Sequence, residues 1–397
     1  MGVIVQKYGG SSLSNTERIK DVSRRVAKKI REGYKIIIVV SAMGDTTDEL
    51  VELSKKISHN PDPRELDMLL TTGEQTSASL LAMAIGDCGI KVKSLTAFQA
   101  GIKTTGDFND AKISNINSER LLDLLLDYDV LVITGFQGIN EEGDFTTLGR
   151  GGSDTTAVAL AALLRVPCEI YSDVTGIFSV DPKYFPFSKK RRYVCYDEII
   201  EMASLGARVL NSRSVEIAKK FNVPIYCSSS FTDEEGSFVV SNDQLIEKPV
   251  VTGLSVMSNQ TQVTIYNLPN ENSIVFSIFE EVSKQNFNVD MISLIKTEAN
   301  LHLSFTILSE RKENLDIALR KLCENNGSHT EYNGGYAKVS VVGIGMKSSP
   351  GVATRLFKTL KPYRIQMVTT SEIKISCLIE ACYVKDIVRD LVKEFDL

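Results

Sequence analysis

A lysine and two adjacent glycines end the first segment of the chain that has the pattern of a β-strand. The stretch is "VQKYGGSSLS", in which Lys7 is followed by Gly9, Gly10 and Ser11. Backbone N–H groups without bulky side chains can face an anion, and a lysine ammonium supplies a point charge. Two ordinary explanations compete with a phosphate site: a solvated lysine at a strand end, and a turn that needs glycine at positive φ.

A second group of candidate residues lies in "TTLGRGGSDTTAVALAALL", where glycines surround an arginine at the start of an Ala/Leu-rich helix. Ser153 as the N-cap and Asp154 as a first-turn carboxylate are explained by capping and by the helix dipole alone. Capping does not explain Arg150, which stands between Gly149 and Gly151.

Two further polar stretches allow both a structural and a functional interpretation. In "TTGEQTSASLLAMA", Thr71 and Glu74 have the spacing of a capping box. In "YSDVTGIFSVDPK", the chain leaves a strand through Asp173, Gly176 and Asp181, and turn chemistry alone accounts for these residues.

The composition excludes several classes of protein. The chain has 397 residues, 43% of them hydrophobic, which predicts two or three folded domains, and its net charge of −5 does not favour binding to nucleic acid or an anionic membrane. The apolar runs are too short to span a membrane and no signal peptide is recognisable, so we expect a cytoplasmic protein. Seven cysteines without a C-x-x-C pair indicate reduced structural thiols, and three scattered histidines do not favour a histidine-based metal site or a Ser-His-Asp triad.

Apolar runs of strand length alternate with helix-length periodic segments up to about residue 230, which predicts parallel strands flanked by helices. Ser14 and Glu17 are predicted to form a capping box at the start of the first helix, whose buried face carries Val22 and Val26. Further helices are predicted near 64–86, 117–128, 153–165 and 197–220. We therefore expect one α/β sandwich over residues 1–245.

Beyond "EKPVVTG" the pattern changes to two shorter units, each reading strand, helix, strand, strand, helix. Val289-Asp290-Met291-Ile292 and Ile365-Gln366-Met367-Val368 are 76 residues apart, as are Val263 and Val339. An internal duplication explains this constant offset, and the element order is that of a ferredoxin-like βαββαβ unit.

Taken together, the motifs resemble those of the aspartokinases, within the amino-acid-kinase family. "KYGGSS", "VVSAMGDTTDEL", "TTGEQTSASLL", "TTLGRGGSDTTAVALA", "YSDVTGIFSVDPK" and "ASLGARVL" occur in that family's order, and the resemblance covers essentially the whole chain. It implies an amino-acid-kinase α/β/α sandwich followed by two ferredoxin-like ACT units. One ACT unit is inserted in the other in that family, which places the inner unit at 262–335 and the outer unit at 246–261 with 336–397.

The resemblance implies transfer of the γ-phosphoryl group of ATP, bound with Mg²⁺, to the side-chain carboxylate of L-aspartate. A carboxylate nucleophile needs no general base, so positioning and charge neutralisation carry the catalysis. Lys7 would bridge the β- and γ-phosphates and Asp154 would orient it, while Gly9, Gly10 and Ser11 would contact the transferring group.

The resemblance also assigns the binding residues. Arg150 is suited to a bidentate grip on a carboxylate and Glu74 to the α-ammonium of the substrate, with Ser41, Thr47 and Ser153 completing the pocket. The nucleotide side maps to Ser172, Asp173, Phe178, Asp181, Lys183 and Arg208. Here the chain departs from the family pattern "GAKVLHPR", since Arg208 replaces lysine and "NSR" replaces "HPR".

By the same resemblance, the duplicated C-terminal part would make the protein a homo-oligomer that binds a regulatory amino acid. Lysine is the first choice for this effector and threonine the second. The effector residues would be Glu271, Asn272, Ser273 and Asp290. Two alternatives stay open: a kinase of the same fold for another small acceptor, and an amino-acid sensor without catalysis. Neither accounts for the glycine-rich motifs and the duplicated units together.

Overall fold

The strand that carries Lys7 lies inside an eight-stranded sheet, between two strands parallel to it. The computed structural model describes residues 2–206, 210–242, 249–284, 287–297, 300–324, 327–346 and 349–397. The chain divides into two compact units. The first unit comprises Met1–Ile177, Lys190–Ala203 and Arg208–Glu247, and the second comprises Phe178–Lys189, Ser204–Ala207 and Lys248–Leu397.

Strands and helices alternate through residues 3–240. The strands are β1 (Val3–Tyr8), β2 (Lys35–Val40), β3 (Val92–Leu95), β4 (Ile102–Thr105), β5 (Lys112–Ile116), β6 (Val130–Thr134), β7 (Gln137–Ile139), β8 (Phe145–Thr147), β9 (Cys168–Ser172), β10 (Ile177–Phe178), β11 (Lys190–Arg191), β12 (Tyr193–Cys195), β13 (Ile225–Ser229) and β14 (Ser237–Val240). The helices are α1 (Thr16–Arg31), α2 (Thr46–Ile57), α3 (Pro63–Gly86), α4 (Ala97–Ala100), α5 (Ser118–Asp127), α6 (Gly152–Leu164), α7 (Tyr196–Ser204) and α8 (Ser212–Phe221).

The main sheet of the first unit has the strand order β12-β14-β13-β9-β1-β2-β6-β3. β1 pairs in parallel with β2 and β9, so Lys7 lies beside Val39 and Ile170. Parallel strands end at the same edge of a sheet, where ligands of such folds bind. The topology therefore places Lys7 and the loops that follow β2, β6 and β9 at one edge. A smaller sheet has the order β5-β4-β7-β8.

Both faces of the main sheet are covered, because successive strand residues contribute to opposite cores. Val5, Ile37 and Val39 pack with residues of α5, α6 and α8, whereas Ile4 and Ile36 pack with residues of α1 and α3. Buried parallel strands have continuous apolar sequences for this reason. The α/β/α sandwich predicted from the sequence is confirmed.

Three local predictions in the first unit are wrong. The segment predicted as one helix near 197–220 forms two, α7 and α8. The N-cap of α1 is Asn15, whose side chain accepts the N–H of Arg18, so Ser14 and Glu17 form no capping box. Thr71 and Glu74 lie inside α3, whose N-cap is Asp62, and the capping-box interpretation of that pair fails as well.

The second unit repeats one element order twice, as predicted. Its strands are β15 (Gly253–Pro269), β16 (Asp290–Lys296), β17 (Asn300–Leu308), β18 (His329–Val342), β19 (Ile365–Thr370) and β20 (Lys374–Glu380). Its helices are α9 (Asn272–Lys284), α10 (Lys312–Glu324), α11 (Val352–Leu360) and α12 (Val384–Phe395). The sheet order is β16-β17-β15-β18-β20-β19, with antiparallel pairing throughout these strands.

The two repeats share strands β15 and β18, and each has its own core. The predicted boundaries at 261/262 and 335/336 fall inside these continuous strands, close to an irregularity in the pairing between Met257 and Gln260. The boundary at 245/246 lies outside the described residues. Met291 and Met367, which occupy equivalent positions of the two repeats, pack against each other together with Leu378. The exact domain limits stay a prediction.

Two other sequence expectations concern the chain as a whole. All seven cysteines are free thiols, and five of them are buried. Within the described residues, no helix combines the length and the apolar character needed to cross a bilayer.

Candidate active site

Lys7 and Asp154 form an ion pair at the carboxyl edge of the main sheet. Lys7 Nζ lies 2.7 Å from Asp154 Oδ1, and each side chain is only 12% exposed. β1 supplies the lysine and the first turn of α6 supplies the aspartate. A solvated lysine at a strand end does not describe this group. The pair therefore joins the end of β1 to the first turn of α6, and removing one partner would leave a largely buried charge.

Neither Gly9 nor Gly10 has the positive φ that would by itself call for glycine, but Gly10 is required by close backbone packing. Gly9 has a φ of −73°, and Gly10 is absent from the residues with positive φ. A Cβ on Gly10 would lie 2.9 Å from the carbonyl oxygens of Ala42 and Gly44, and the N–H of Gly44 donates to the Gly10 carbonyl at 3.0 Å. The glycine therefore lets the loop after β1 approach the loop after β2. Ser11 belongs to the short 3₁₀ turn Gly10–Leu13.

Glu74 is a buried carboxyl group with one oxygen available inside the site. Its Oε1 accepts the N–H of Ala42 at 3.1 Å, and its Oε2 has no hydrogen-bond partner among the described residues. The side chain is 3% exposed, and burial raises its pKa to about 7, although the hydrogen bond from Ala42 opposes this. An unpaired buried oxygen is costly, so it marks a position that a cationic ligand group would satisfy.

One cavity of about 420 Å³ in the first unit brings most of the predicted catalytic and acceptor residues together. Its lining includes Lys7, Gly10, Ser41, Thr47, Glu74, Arg150, Ser153 and Asp154. Gly9 and Ser11 adjoin this lining in the chain but are not part of it. Residues that the sequence analysis did not name also line it, among them Asp48, Asn109, Phe136 and Thr147. The left-handed φ of 69° at Phe136 could not be read from the sequence.

Arg150 extends from a glycine-rich loop at the mouth of the cavity. Gly149 and Gly151 have φ values of 75° and 74°, a conformation that L-residues with a Cβ rarely adopt. The N-cap of α6 is Gly151, so the predicted N-cap role of Ser153 is wrong. The Arg150 side chain is 98% exposed, and its guanidinium lies 3.9 Å from the carboxylate of Asp48. It is therefore placed at the cavity without being held by the protein interior.

Asp67 is a functional candidate that the sequence analysis missed. This fully buried carboxylate accepts the N–H groups of Asn109 and Thr147 at 3.0 and 2.8 Å, and the Thr147 hydroxyl at 2.7 Å. Burial raises its pKa, and the three donors oppose this. Asp67 and Glu74 are seven residues apart on α3 and share its buried face, a spacing that was visible in the sequence.

The predicted nucleotide residues are distributed over both units. Ser172 ends β9, its hydroxyl accepts the N–H of Val174 at 3.3 Å, and exposed Asp173 follows; neither lines the cavity. In the second unit, the carboxylate of Asp181 accepts the N–H of Lys183 at 2.8 Å, and Phe178 is half-buried. Arg208 lies outside the described residues.

The predicted effector residues are not brought together in one cavity. Asp290 lines a cavity of about 350 Å³ in the second unit together with Lys338 and Lys374, whereas Glu271 and Ser273 are not among its lining residues. The side chain of Asn272 lies outside the described part of the chain. The Ser273 hydroxyl donates to Glu271 at 3.2 Å near the start of α9.

The carboxylate of Asp290 already has a cationic partner inside the protein. It is paired with the ammonium of Lys338, a side chain that is 2% exposed, and it accepts the N–H of Met291. Burial acts to raise the pKa of Asp290, but the hydrogen bond and charge of Lys338 outweigh it and hold the pKa below its usual range. Asp290 was predicted as an effector residue, and this expectation is corrected, because Lys338 already occupies the carboxylate that an effector's ammonium would need.

Comparisons with known proteins agree with this architecture. The model of the amino acid kinase family matches residues 2–229, and that of the ACT domain matches residues 339–395. An aspartokinase from Bacillus sp. (strain MGA3) is 45% identical over 406 residues, covering 100% of this chain and 98% of its own length. An aspartokinase from Geobacillus stearothermophilus is 44% identical over 400 residues, with coverage of 100% and 98%. The crystal structure of E. coli aspartokinase III with aspartate and ADP superposes with a TM-score of 0.80 at 22% identity, covering 100% of both chains.

Proposed function

The chain belongs to the aspartokinases of the amino acid kinase family, and on this basis we propose the roles of its residues in phosphorylating L-aspartate. The reaction joins the side-chain carboxylate oxygen of aspartate to the γ-phosphorus of ATP, breaks the bond to the β-phosphate oxygen, and releases ADP and 4-phospho-L-aspartate. The observation that carries the assignment is the single cavity that holds the Lys7–Asp154 pair and the unpaired oxygen of Glu74.

The main difficulty of this reaction is that two anions must approach each other. Lys7 supplies positive charge at the sheet edge, and Asp154 holds its ammonium in an ion pair at 2.7 Å. The N-terminus of α6 contributes oriented backbone N–H groups beside them. Gly9, Gly10 and Ser11 present a backbone that a phosphoryl group can approach closely. Such preorganised charges stabilise a phosphoryl-transfer transition state without any proton transfer by the protein.

A magnesium ion bound to the nucleotide would neutralise phosphate charge, and it is expected to be held mainly by phosphates and water. Within the described residues, no group of three or more His, Cys, Asp and Glu side chains is placed to hold a metal ion. Asp154 is directed to Lys7 and acts through that lysine.

The acceptor pocket is proposed to recognise both charged ends of aspartate. Glu74 Oε2 would accept the α-ammonium, and the exposed guanidinium of Arg150 would bind a carboxylate with two parallel hydrogen bonds. The hydroxyl groups that complete the pocket are those of Ser41, Thr47 and Ser153. On the nucleotide side we propose Ser172, Asp173, Phe178, Asp181, Lys183 and Arg208.

The test is release of ADP with L-aspartate, L-glutamate, carbamate or UMP as the only acceptor. We expect turnover with aspartate alone, since Glu74 and Arg150 offer a negative and a positive charge to an amino acid with an acidic side chain and the family is that of the aspartokinases. Turnover with another acceptor and not with aspartate would reassign the pocket. ADP release from none of them would leave the chain without the proposed catalysis.

We further propose that the duplicated second unit regulates the enzyme by binding lysine or threonine, in a pathway that leads to lysine, threonine and methionine. The ACT match at 339–395 supports a regulatory role. Titration of the rate with the three amino acids, singly and in pairs, tests it. Since Lys338 already pairs with Asp290, an effector ammonium would have to compete with that internal ammonium.

A homo-oligomer is proposed because β16 lies at one end of the sheet order and exposes apolar side chains. Ile292, Leu294 and Ile295 are 54%, 49% and 58% exposed. Apolar residues on an edge strand favour pairing with a second copy of the chain. Light scattering of the wild type and of Ile295→Arg tests this, with a lower mass expected for the variant. We propose the cytoplasm as the location, since the phosphoryl donor is ATP.

A further inference from the structure

The segment "NSR", residues 211–213, departs from the family pattern and contacts the loop that carries Arg150. The side-chain amide of Asn211 donates through Nδ2 to the backbone carbonyl of Arg150 at 2.8 Å. Its Oδ1 accepts the N–H of Ser214 at 3.3 Å, which makes Asn211 the N-cap of α8. One side chain therefore begins a helix with one atom and holds the loop with the other.

Asn211 also packs closely against Gly151, the residue that follows Arg150 in the loop. A Cβ on Gly151 would lie 2.4 Å from Asn211 Nδ2 and 2.7 Å from Asn211 Cβ. Gly151 also has a φ of 74°, so its backbone conformation is one that glycine adopts without strain. The loop passes Asn211 without an intervening side chain, and a change at residue 211 is transmitted directly to the backbone beside Arg150.

Arg213, two residues later, holds the preceding part of the same loop. Its guanidinium donates to the carbonyl of Leu148 at 3.2 Å and to the carbonyl of Ala111 at 2.8 Å. The Ala111 N–H in turn donates to the carbonyl of Thr147 at 2.9 Å. The first turn of α8 thus fixes the backbone at 148 and at 150, whereas the Arg150 side chain itself stays 98% exposed.

We infer that Asn211, supported by Arg213, is a positioning residue for the acceptor. It sets the backbone of residues 148–151 so that the guanidinium of Arg150 reaches a carboxylate in the cavity. The inference rests on the proposed acceptor role of Arg150. A cap of α8 alone would need only the oxygen of Asn211, and the donor to Arg150 has no part in capping.

The variant Asn211→Asp separates the two tasks of this side chain. Aspartate keeps an oxygen that accepts the N–H of Ser214, but it places an oxygen instead of a donor against the Arg150 carbonyl. We expect the KM for aspartate to rise roughly tenfold to a hundredfold, the scale of a small misplacement of a substrate-positioning group. We expect the KM for ATP and the melting temperature to stay close to those of the wild type.

Asn117→Asp is the matched control. Asn117 is the N-cap of α5 and accepts the N–H of Arg120 at 3.0 Å, and it is not among the residues that line the cavity. The same chemical change at that helix should leave both KM values unchanged. Equal effects of the two variants, or a fall in melting temperature with a parallel rise of both KM values, would reduce Asn211 to a structural cap and overturn the inference.

A second measurement does not depend on catalysis. Trypsin cleaves after an exposed arginine when the backbone around the peptide bond can leave its folded position. The Arg150 side chain is exposed, and the Arg150 carbonyl accepts the hydrogen bond from Asn211. We expect cleavage after Arg150, followed by mass spectrometry, to be at least several-fold faster in Asn211→Asp than in the wild type and in Asn117→Asp. Unchanged cleavage would show that Asn211 does not hold the loop. If cleavage accelerates but the wild type does not phosphorylate aspartate, the proposed function fails and the positioning of the loop stands.

Discussion

Glu74 is expected to make the KM for aspartate depend on pH. Burial raises its pKa to about 7, so near neutral pH about half of the molecules carry a protonated, uncharged Glu74. Only the ionised form of Glu74 pairs with the α-ammonium of the substrate. Binding of aspartate should therefore drive the proton off the Glu74 carboxyl group. Aspartate affinity is therefore expected to increase as the pH rises through 7.

The magnitude follows from the fraction of ionised carboxylate. With a pKa of about 7, that fraction is about one eleventh at pH 6 and about nine tenths at pH 8. The apparent KM for aspartate should therefore be roughly tenfold higher at pH 6 than at pH 8. Aspartate itself keeps its charges in this range, whereas any contribution of phosphate ionisation is common to the wild type and Glu74→Gln and is removed by comparing the two.

The assay is a set of initial rates of ADP release from pH 6 to pH 8, for the wild type and for Glu74→Gln. The variant keeps the shape of the side chain but cannot ionise, so its KM should be high and independent of pH. A flat KM in the wild type, or the same slope in the variant, would refute the assignment of the ammonium to Glu74.

The same group gives a stability prediction with a definite sign. The pKa of Glu74 is raised above its ordinary value of 4.5, so the folded state binds this proton more tightly than the unfolded state. The stabilisation is complete below about pH 4.5 and is lost as the pH rises through about 7. Relative to Glu74→Gln, the wild type should lose about 3 kcal/mol of unfolding free energy over that range, as measured by urea titration.

Four other predictions can be tested with single substitutions. Lys7→Ala should lower kcat by roughly 10²–10³-fold, the scale of one preorganised donor, and near-normal kcat would argue against a role in phosphoryl transfer. In Asp67→Asn the side-chain amide can donate to the Thr147 hydroxyl, so the hydrogen bonds are kept and the KM for aspartate should stay near that of the wild type. Asp67→Ala loses these bonds and should have a higher KM for aspartate. Equal effects of the two variants would show that the charge of Asp67 matters. Gly10→Ala should destabilise the protein by about 1–3 kcal/mol in urea titrations, because its Cβ meets two carbonyl oxygens at 2.9 Å. Asp290→Asn should leave inhibition by millimolar lysine in place, because Lys338 already occupies this carboxylate, and loss of inhibition at an unchanged uninhibited rate would return Asp290 to the effector site.

The part of the site that follows from local sequence was predictable. Lys7 stands at the end of an apolar strand and Asp154 in the first turn of an apolar helix, so the topology of a parallel sheet brings them to one edge. The sandwich itself followed from the alternation of strand and helix patterns. Each of these inferences depends on the local sequence pattern around a residue and not on contacts between distant residues.

The contacts that position the loops were not predictable in this way. Asp67 and Thr147 are 80 residues apart, and Asn211 and Arg150 are 61 apart. The partners of Asp67 and Asn211 could not be read from the sequence, because only the folded chain brings these distant groups together. Glu74 was named as a candidate through the family resemblance, but its hydrogen bond with the N–H of Ala42, 32 residues away, could not be read from the spacing.

The shared strand β15 has a mechanical consequence for the second unit. Its 17 residues span roughly 56 Å at about 3.3 Å per residue, so one continuous strand contributes to the cores of both repeats. A displacement at one end reaches the other without passing through side-chain packing. The pairing of β15 is irregular near Asn259, whose φ is 58°, and this position close to the middle of the strand is where the strand can bend. A disulfide or a proline engineered on either side of that bend should change how the two repeats respond to each other while leaving each core intact.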